Sequence, residues 1–80
     1  MASRIKSHVD VLAAIDSLTQ NKGYPPSVRE LTAELGYKNP ASTYVFLMEL
    51  REHGLITQQK GLPRTTRLTR KGLHLLKRSK

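Results

Sequence analysis

The C-terminal third of this 80-residue chain is strongly basic. The chain has 14 Lys and Arg residues against six Asp and Glu residues, a formal net charge of +8. Residues 1–52 contain all six acidic residues and an equal number of basic ones, whereas residues 53–80 contain eight basic residues and no acidic residue. Such an asymmetric basic region is typical of proteins that bind polyanions, nucleic acids above all. A solubilising charged tail is the alternative interpretation.

Residue types that support catalysis or metal binding are sparse and scattered. The three histidines fall in three separate predicted elements with no pair at the spacing of metal ligands, and the chain has no cysteine. The sequence contains neither a phosphate-binding glycine loop nor a nucleophile motif. We therefore expect a protein that is not an enzyme and that binds no cofactor, metal or small-molecule ligand. The longest apolar runs, Val11–Ile15 and Tyr44–Met48, are too short for a signal peptide or a membrane span.

Two closely spaced helices are predicted at the centre of the chain. Ser27 and Glu30 form a capping-box pattern that opens a short helix over residues 28–35, and the glycine that follows suits a left-handed helix end. Asn39, followed by proline, is predicted as the N-cap of a second helix over residues 40–53. Two short helices joined by such a tight connection are typical of a helix-turn-helix.

The segments on either side add one helix before this pair and a hairpin and a helix after it. Apolar residues at helical spacing predict a helix over residues 7–19, which a glycine and two prolines end. Two short strands are predicted over residues 55–59 and 66–69, and Thr69 is predicted to cap a last helix over residues 70–77. The residues predicted to face the core are Val11, Leu12, Ile15, Leu18, Val28, Leu31, Leu35, Thr43, Leu47, Leu50, Leu73 and Leu76.

This order predicts an α+β fold, a winged helix-turn-helix with three helices, a two-stranded β-hairpin wing and a short C-terminal helix. We expect residues 1–80 to form a single domain, because a chain of 80 residues has room for one modest core. In a helix-turn-helix the first helix lies against the DNA backbone. The second helix presents its N-terminal turns to the major groove, which is wide enough to admit it.

Several short motifs at fixed spacing lie between residues 8 and 69. They include a Gly-x-Pro-Pro-Ser entry and a Leu-Gly-aromatic turn. The residues that carry them are Gly23, Tyr24, Pro25, Pro26, Ser27, Arg29, Glu30, Leu31, Leu35, Gly36, Tyr37, Pro40, Leu47, Leu50, Gly54, Leu55 and Ile56. Together they resemble the DNA-binding domain of LexA repressors, which implies a winged helix-turn-helix that represses transcription. The ending Leu-Thr-x-Lys-Gly-x-x-Leu-Leu, over residues 68–76, is instead similar to the end of many other winged-helix regulators.

The chain also differs from that family in two respects. LexA proteins continue into a self-cleaving peptidase domain that dimerises them, and this sequence has no such segment. Neither self-cleavage nor that dimer interface is therefore expected. Where the family typically carries polar residues such as Asn and Glu at the DNA-reading positions, this chain has Ala41, Tyr44 and Val45.

The start of the second helix supplies the candidate base-reading residues, which are Asn39, Ala41, Ser42, Tyr44, Val45 and Met48. Asn39 and Ser42 can hydrogen-bond to base edges or phosphates. Ala41 and Val45 can meet thymine methyl groups, and Tyr44 can reach a phosphate with its hydroxyl. Candidate phosphate contacts lie at helix starts and around the wing, and they are Ser27, Lys38, Lys60, Arg64 and Arg67.

We therefore expect a sequence-specific regulator that binds double-stranded DNA, a bacterial or phage repressor in the cytoplasm. It is expected to bind as a homodimer through the first helix or through Leu73, Leu75 and Leu76 of the last one. The alternative is a protein-interaction module that binds a host regulator or replication factor through residues 40–53, because five consecutive apolar side chains cannot all face inward. A nonspecific architectural or replication-initiation role is a third interpretation.

Overall fold

A computed structural model describes residues 8–59, 61–62 and 64–78. Within them the elements follow in the predicted order: α1 (His8–Lys22), α2 (Val28–Leu35), α3 (Ala41–Glu52), β1 (Ile56–Thr57), β2 (Arg67–Leu68) and α4 (Arg70–Arg78). The α+β winged helix-turn-helix is therefore confirmed. No helix in this described part of the chain is long and apolar enough to cross a membrane.

Helix α1 continues for three residues beyond its predicted end. The side-chain amide of Gln20 donates a hydrogen bond to the Asp16 carboxylate one turn earlier, at 3.0 Å, which stabilises the polar last turns. The helix ends only at Gly23, whose N–H donates to the Thr19 carbonyl at 2.8 Å. The predicted start at residue 7 lies outside the described residues.

Helix α3 begins one residue later and ends one residue earlier than predicted. Pro40, not Asn39, is the N-cap residue, and its carbonyl accepts a hydrogen bond from the Tyr44 N–H at 2.9 Å. The Asn39 carboxamide oxygen nevertheless accepts a hydrogen bond from the Ala41 N–H at 3.0 Å. The predicted cap position was wrong by one residue, but this side chain still satisfies one of the N–H groups that a helix start leaves free.

The hairpin has a shorter ladder than the sequence predicts. Strands β1 and β2 are antiparallel, with Ile56 opposite Leu68, and each strand is two residues long. Beyond this ladder the two arms are joined through side chains. The Gln58 amide donates to the Thr66 hydroxyl at 2.8 Å, for example. Side chains thus replace part of the backbone pairing that the alternating pattern predicts.

One apolar cluster joins the helices and the hairpin. Its buried members are Val11, Leu12, Ala14, Ile15, Leu31, Leu35, Leu47, Leu50, Leu55 and Ile56, with Leu18, Val28, Tyr37, Phe46, Leu68 and Leu75 packed against it. The predicted inward residues of the first three helices all lie in or against this core, and Thr43 is also buried. The core thus holds α1, α2 and α3 together and leaves their remaining faces to solvent.

Helix α4 presents a different face to the core than the sequence predicts. Leu76 is buried as expected, but Leu73 is 41% exposed. The reason is Gly72, which is buried against the backbone of Leu55 so closely that a Cβ at this position would overlap the Leu55 carbonyl oxygen. The face of α4 that packs against the rest of the fold is therefore centred on Gly72 and Leu76, and Leu73 points away from it. Of the three leucines expected to mediate dimerisation, Leu76 is buried and Leu75 is half-buried.

Candidate nucleic-acid interface

Helix α2 is capped at both ends by the residues that the sequence predicts. At its start, the Ser27 hydroxyl accepts a hydrogen bond from the Glu30 N–H at 3.1 Å, and the Glu30 carboxylate accepts one from the Ser27 N–H at 3.0 Å. At its end, Gly36 has φ +82° and its N–H donates to the Ala33 carbonyl at 3.1 Å. Glycine adopts this left-handed backbone conformation at the lowest free-energy cost. The chain reverses direction here toward α3.

A buried hydrogen bond joins the two helices of the helix-turn-helix. The hydroxyl oxygens of Thr32 in α2 and Thr43 in α3 are 2.8 Å apart, and both side chains are buried. The Thr32 hydroxyl is also hydrogen-bonded to the Val28 carbonyl, at 2.7 Å. Because polar groups inside a core must find partners, this pair allows the helices to pack in only a narrow range of orientations.

Helix α3 divides the apolar run of residues 44–48 between two faces. Leu47 is buried and Phe46 packs against the core, whereas Tyr44, Val45 and Met48 are 58%, 49% and 45% exposed. These three residues and the exposed Ala41 lie three and four positions apart, so they share one face of the helix. We call this face (Ala41, Tyr44, Val45 and Met48) the apolar stripe. The expectation that the run does not face inward as a whole is confirmed.

The polar candidates Asn39 and Ser42 lie at the same end of α3 and are exposed. The carboxamide oxygen of Asn39 accepts the hydrogen bond from the Ala41 N–H, and the carboxamide nitrogen takes no part in that bond. Both side chains therefore present hydrogen-bonding groups beside the N-terminal turn of α3. All six candidate base-reading residues thus lie on or next to one exposed surface.

Exposed basic side chains flank the apolar stripe on two sides. Arg29 of α2 and Lys38 of the turn line a shallow groove that reaches Tyr44. On the hairpin side, Arg51 lines a second groove together with Tyr44 and Met48. The stripe is therefore an apolar surface bordered by positive charge, which suits an anionic partner that also has apolar groups.

Arg64 of the hairpin is held against the start of α2. Its guanidinium donates hydrogen bonds to both oxygens of the Glu30 carboxylate, at 2.7 and 3.2 Å, and lies 5.0 Å from the centre of the Tyr24 ring. We call these three residues the wing clasp. The Lys22 ammonium is 3.5 Å from the same carboxylate. The hydrogen bond from Arg64 and that from the Ser27 N–H lower the pKa of Glu30 from 4.5 to about 2.

The wing clasp is not evident from the sequence. Arg64 and Glu30 are 34 positions apart, and each has an adequate local explanation, as a wing cation and as the partner in the capping box. Of the other candidate phosphate contacts, Lys38 and Arg67 are exposed. Ser27 is half-buried, and its hydroxyl accepts from the Glu30 N–H while its own N–H donates to the Glu30 carboxylate of the clasp. Lys60 lies outside the described residues.

A second unpredicted contact joins α1 to the far end of α3. His8 Nε2 and Glu49 Oε1 are hydrogen-bonded at 2.8 Å, and the His8 ring packs edge-on against Phe46 at a centroid distance of 5.7 Å. The His53 ring is 6.0 Å away, so two histidines that the sequence places in separate elements are neighbours. Among the residues that the structure describes, no three carboxylate or imidazole groups are arranged to hold a metal ion.

Comparison with known proteins assigns this arrangement to a family. A model of the LexA DNA-binding domain matches residues 5–65, which include the helix-turn-helix and strand β1 and end before β2. The chain belongs to the LexA DNA-binding domain family. The resemblance seen in the sequence motifs is thereby confirmed, and it extends over the whole of α1.

Relatives that match the chain are named LexA repressor. The one from Ligilactobacillus salivarius is 33% identical over 76 residues, which are 95% of this chain and 37% of the relative. The one from Lactobacillus delbrueckii subsp. bulgaricus is 29% identical with the same coverage. The one from Desulfatibacillum aliphaticivorans is 43% identical over 51 residues, 64% of this chain and 25% of the relative. The matched part of the chain thus spans between a quarter and little more than a third of the length of these LexA relatives.

Proposed function

We propose that this chain binds double-stranded DNA and acts as the DNA-binding domain of a bacterial transcriptional repressor. The observation that carries the proposal is the exposed face of α3, bordered by basic side chains, in a chain of the LexA DNA-binding domain family. The name that its relatives share, LexA repressor, supports repression as the outcome. A DNA-binding domain is a non-catalytic module, which supports a regulator rather than an enzyme.

In this proposal α3 lies in the major groove and α2 crosses the DNA backbone. The apolar stripe faces the base edges with Asn39 and Ser42, while Lys38 and Arg67 lie near phosphates. Ser27, whose hydroxyl and N–H are both used in the capping box, adds its place at the start of α2 to this set. Lys60 belongs to the same phosphate-contacting set on the wing, and Arg64 joins it through the guanidinium N–H groups that the Glu30 carboxylate does not use. Contacts to phosphate set the register of the domain, and the α3 surface selects the base sequence.

We further propose that residues 1–80 act as one domain and that two copies bind two half-sites about one helical turn apart. A single winged helix covers a limited length of DNA, so pairing raises both affinity and specificity. Leu73, the exposed leucine of α4, is the candidate contact between copies. A bacterial repressor of this kind works in the cytoplasm, where its DNA is located.

Selection of bound sequences from random duplex DNA tests the proposal. Enrichment of one short site, with a log–log salt slope near −4 to −5 per bound copy for about five phosphate contacts each, is the expected result. Salt-dependent binding without any enriched site would overturn the sequence-specific repressor and favour an architectural role. Absence of binding to every duplex at low salt would overturn DNA binding itself and favour the protein-interaction module.

A further inference from the structure

We infer that the apolar stripe of α3 recognises thymine bases through their 5-methyl groups. This inference rests on the proposed function and adds to it the chemistry of base selection. Three of the four side chains in the stripe, those of Ala41, Val45 and Met48, have no hydrogen-bond donor. Tyr44 has one hydroxyl at the end of its ring. The stripe therefore cannot recognise a base by the paired hydrogen bonds that Arg, Lys, Asn and Gln make.

The major groove offers one kind of apolar group to such a surface. Every base pair presents donors and acceptors there, but only thymine adds a methyl group. An aliphatic side chain pressed against the edge of a G·C pair would remove water from polar groups without replacing their hydrogen bonds, which is unfavourable. Against a thymine methyl, the same side chain buries apolar surface on both partners. The stripe thus favours thymine at the positions it covers.

The charges around the stripe favour DNA over an apolar protein surface as its partner. Arg29 and Lys38 are exposed on one side of Tyr44, and Arg51 is exposed beside Met48. The acidic residue on the same face, Glu52, lies one turn beyond Met48 at the C-terminal end of α3. That end leaves the groove when a recognition helix reads bases with its N-terminal turns.

The stripe is held in a fixed position by the opposite face of α3. Leu47 and Leu50 are buried in the core, and Thr43 is hydrogen-bonded to α2. Val45 is β-branched and has essentially one side-chain rotamer in a helix, so little conformational entropy is lost when a methyl group packs against it. Val45 is therefore the side chain of the stripe that is best suited to read a methyl group.

Replacement of thymine by uracil in the selected site tests the inference directly. The substitution removes the 5-methyl group and leaves every hydrogen-bonding group of the base unchanged. At the thymines covered by the stripe we expect affinity to fall about fourfold for each methyl group removed. This corresponds to the free energy gained when one apolar carbon is buried. Uracil at the remaining thymines is expected to leave affinity unchanged. Affinities are measured by titration of labelled duplexes that each carry a single uracil.

A matched pair of protein variants connects the effect to α3. In Val45→Ala the uracil penalty at one thymine is expected to fall, because the two γ-methyl groups that contact the thymine methyl are removed. In His74→Ala, which shortens an exposed side chain of α4 outside the proposed DNA and dimer contacts, the full penalty is expected to remain. Circular dichroism of both variants shows whether each is folded.

The outcomes separate this inference from the proposed function. A selected site that binds equally well with thymine and with uracil at every position would overturn thymine recognition and leave sequence-specific DNA binding intact. Unchanged DNA affinity in Val45→Ala and Met48→Ala would overturn the inference and favour a protein partner for the stripe. Failure to bind any duplex would overturn the proposed function itself.

Discussion

Arg64 and Glu30 form a bidentate ion pair, with Nη1 to Oε1 at 2.7 Å and Nη2 to Oε2 at 3.2 Å. Arg64 lies in the hairpin and Glu30 in the first turn of α2, so the pair ties the wing to the helix-turn-helix. The same carboxylate accepts the Ser27 N–H of the capping box. One side chain therefore both starts α2 and positions the wing relative to α3.

Loss of this ion pair is expected to loosen the hairpin. We expect Glu30→Gln and Arg64→Ala each to lower the Tm and to speed amide exchange in the hairpin. Glutamine still serves in a capping box, so Glu30→Gln removes the ion pair and keeps the cap.

The effect of losing the ion pair is expected to shrink as salt screens the charges, because the Arg64 and Glu30 side chains are 42% and 25% exposed. Arg67→Ala, which removes an exposed arginine from the same hairpin, is the control. Equal Tm for wild type and Glu30→Gln at low salt would show that the pair does not hold the wing.

Acid is expected to abolish the contribution of Glu30 to stability. The folded-state pKa of Glu30 is about 2 against an ordinary value of 4.5, so the unfolded chain takes up the proton first as the pH falls. The stabilisation is complete above pH 4.5 and is lost as the pH approaches 2. We therefore expect the difference in Tm between wild type and Glu30→Gln to narrow over this interval in thermal melts. A difference that stays constant with pH would contradict this assignment of the pKa.

Thr43→Val tests the buried hydrogen bond between α2 and α3. Valine keeps the shape and removes the hydroxyl that pairs with Thr32, which keeps the Val28 carbonyl as a partner. We expect the free energy of unfolding, measured in urea, to fall by about 1 kcal/mol. Thr57→Val, at an exposed threonine of β1, is the matched control and should change it by less than about 0.5 kcal/mol. A loss no larger than that of the control would mean that the bond contributes nothing.

Gly72→Ala is expected to destabilise the fold although alanine is the better helix former. Helix propensity alone would make the substitution stabilising by about 1 kcal/mol. Here the added Cβ would overlap the Leu55 carbonyl oxygen, so α4 must shift away from the core, and we expect a net loss of about 1–3 kcal/mol. His74→Ala, at an exposed position of the same helix, is the control. A higher Tm for Gly72→Ala than for wild type would show that α4 does not pack against the backbone of Leu55 as closely as described.

The sequence alone determined the order of the elements, the local structure of α2 and the family to which the chain belongs. The capping box of Ser27 and Glu30, the left-handed Gly36 and the bounds of α2 were predicted correctly because each depends on residues within one or two helical turns. The inward face of α3 followed in the same way from its spacing of apolar residues. The short motifs that carry the family resemblance lie in these same segments.

Only the tertiary structure decided which distant residues meet. The pairs Arg64–Glu30 and His8–Glu49 join residues 34 and 41 positions apart, and each side chain also suits an ordinary exposed position on its own element. The outward turn of Leu73 likewise depends on the contact of Gly72 with Leu55, across the boundary between helix and hairpin. Periodicity shows which face of a helix is apolar, but the close approach of two backbones decides which part of that face is buried.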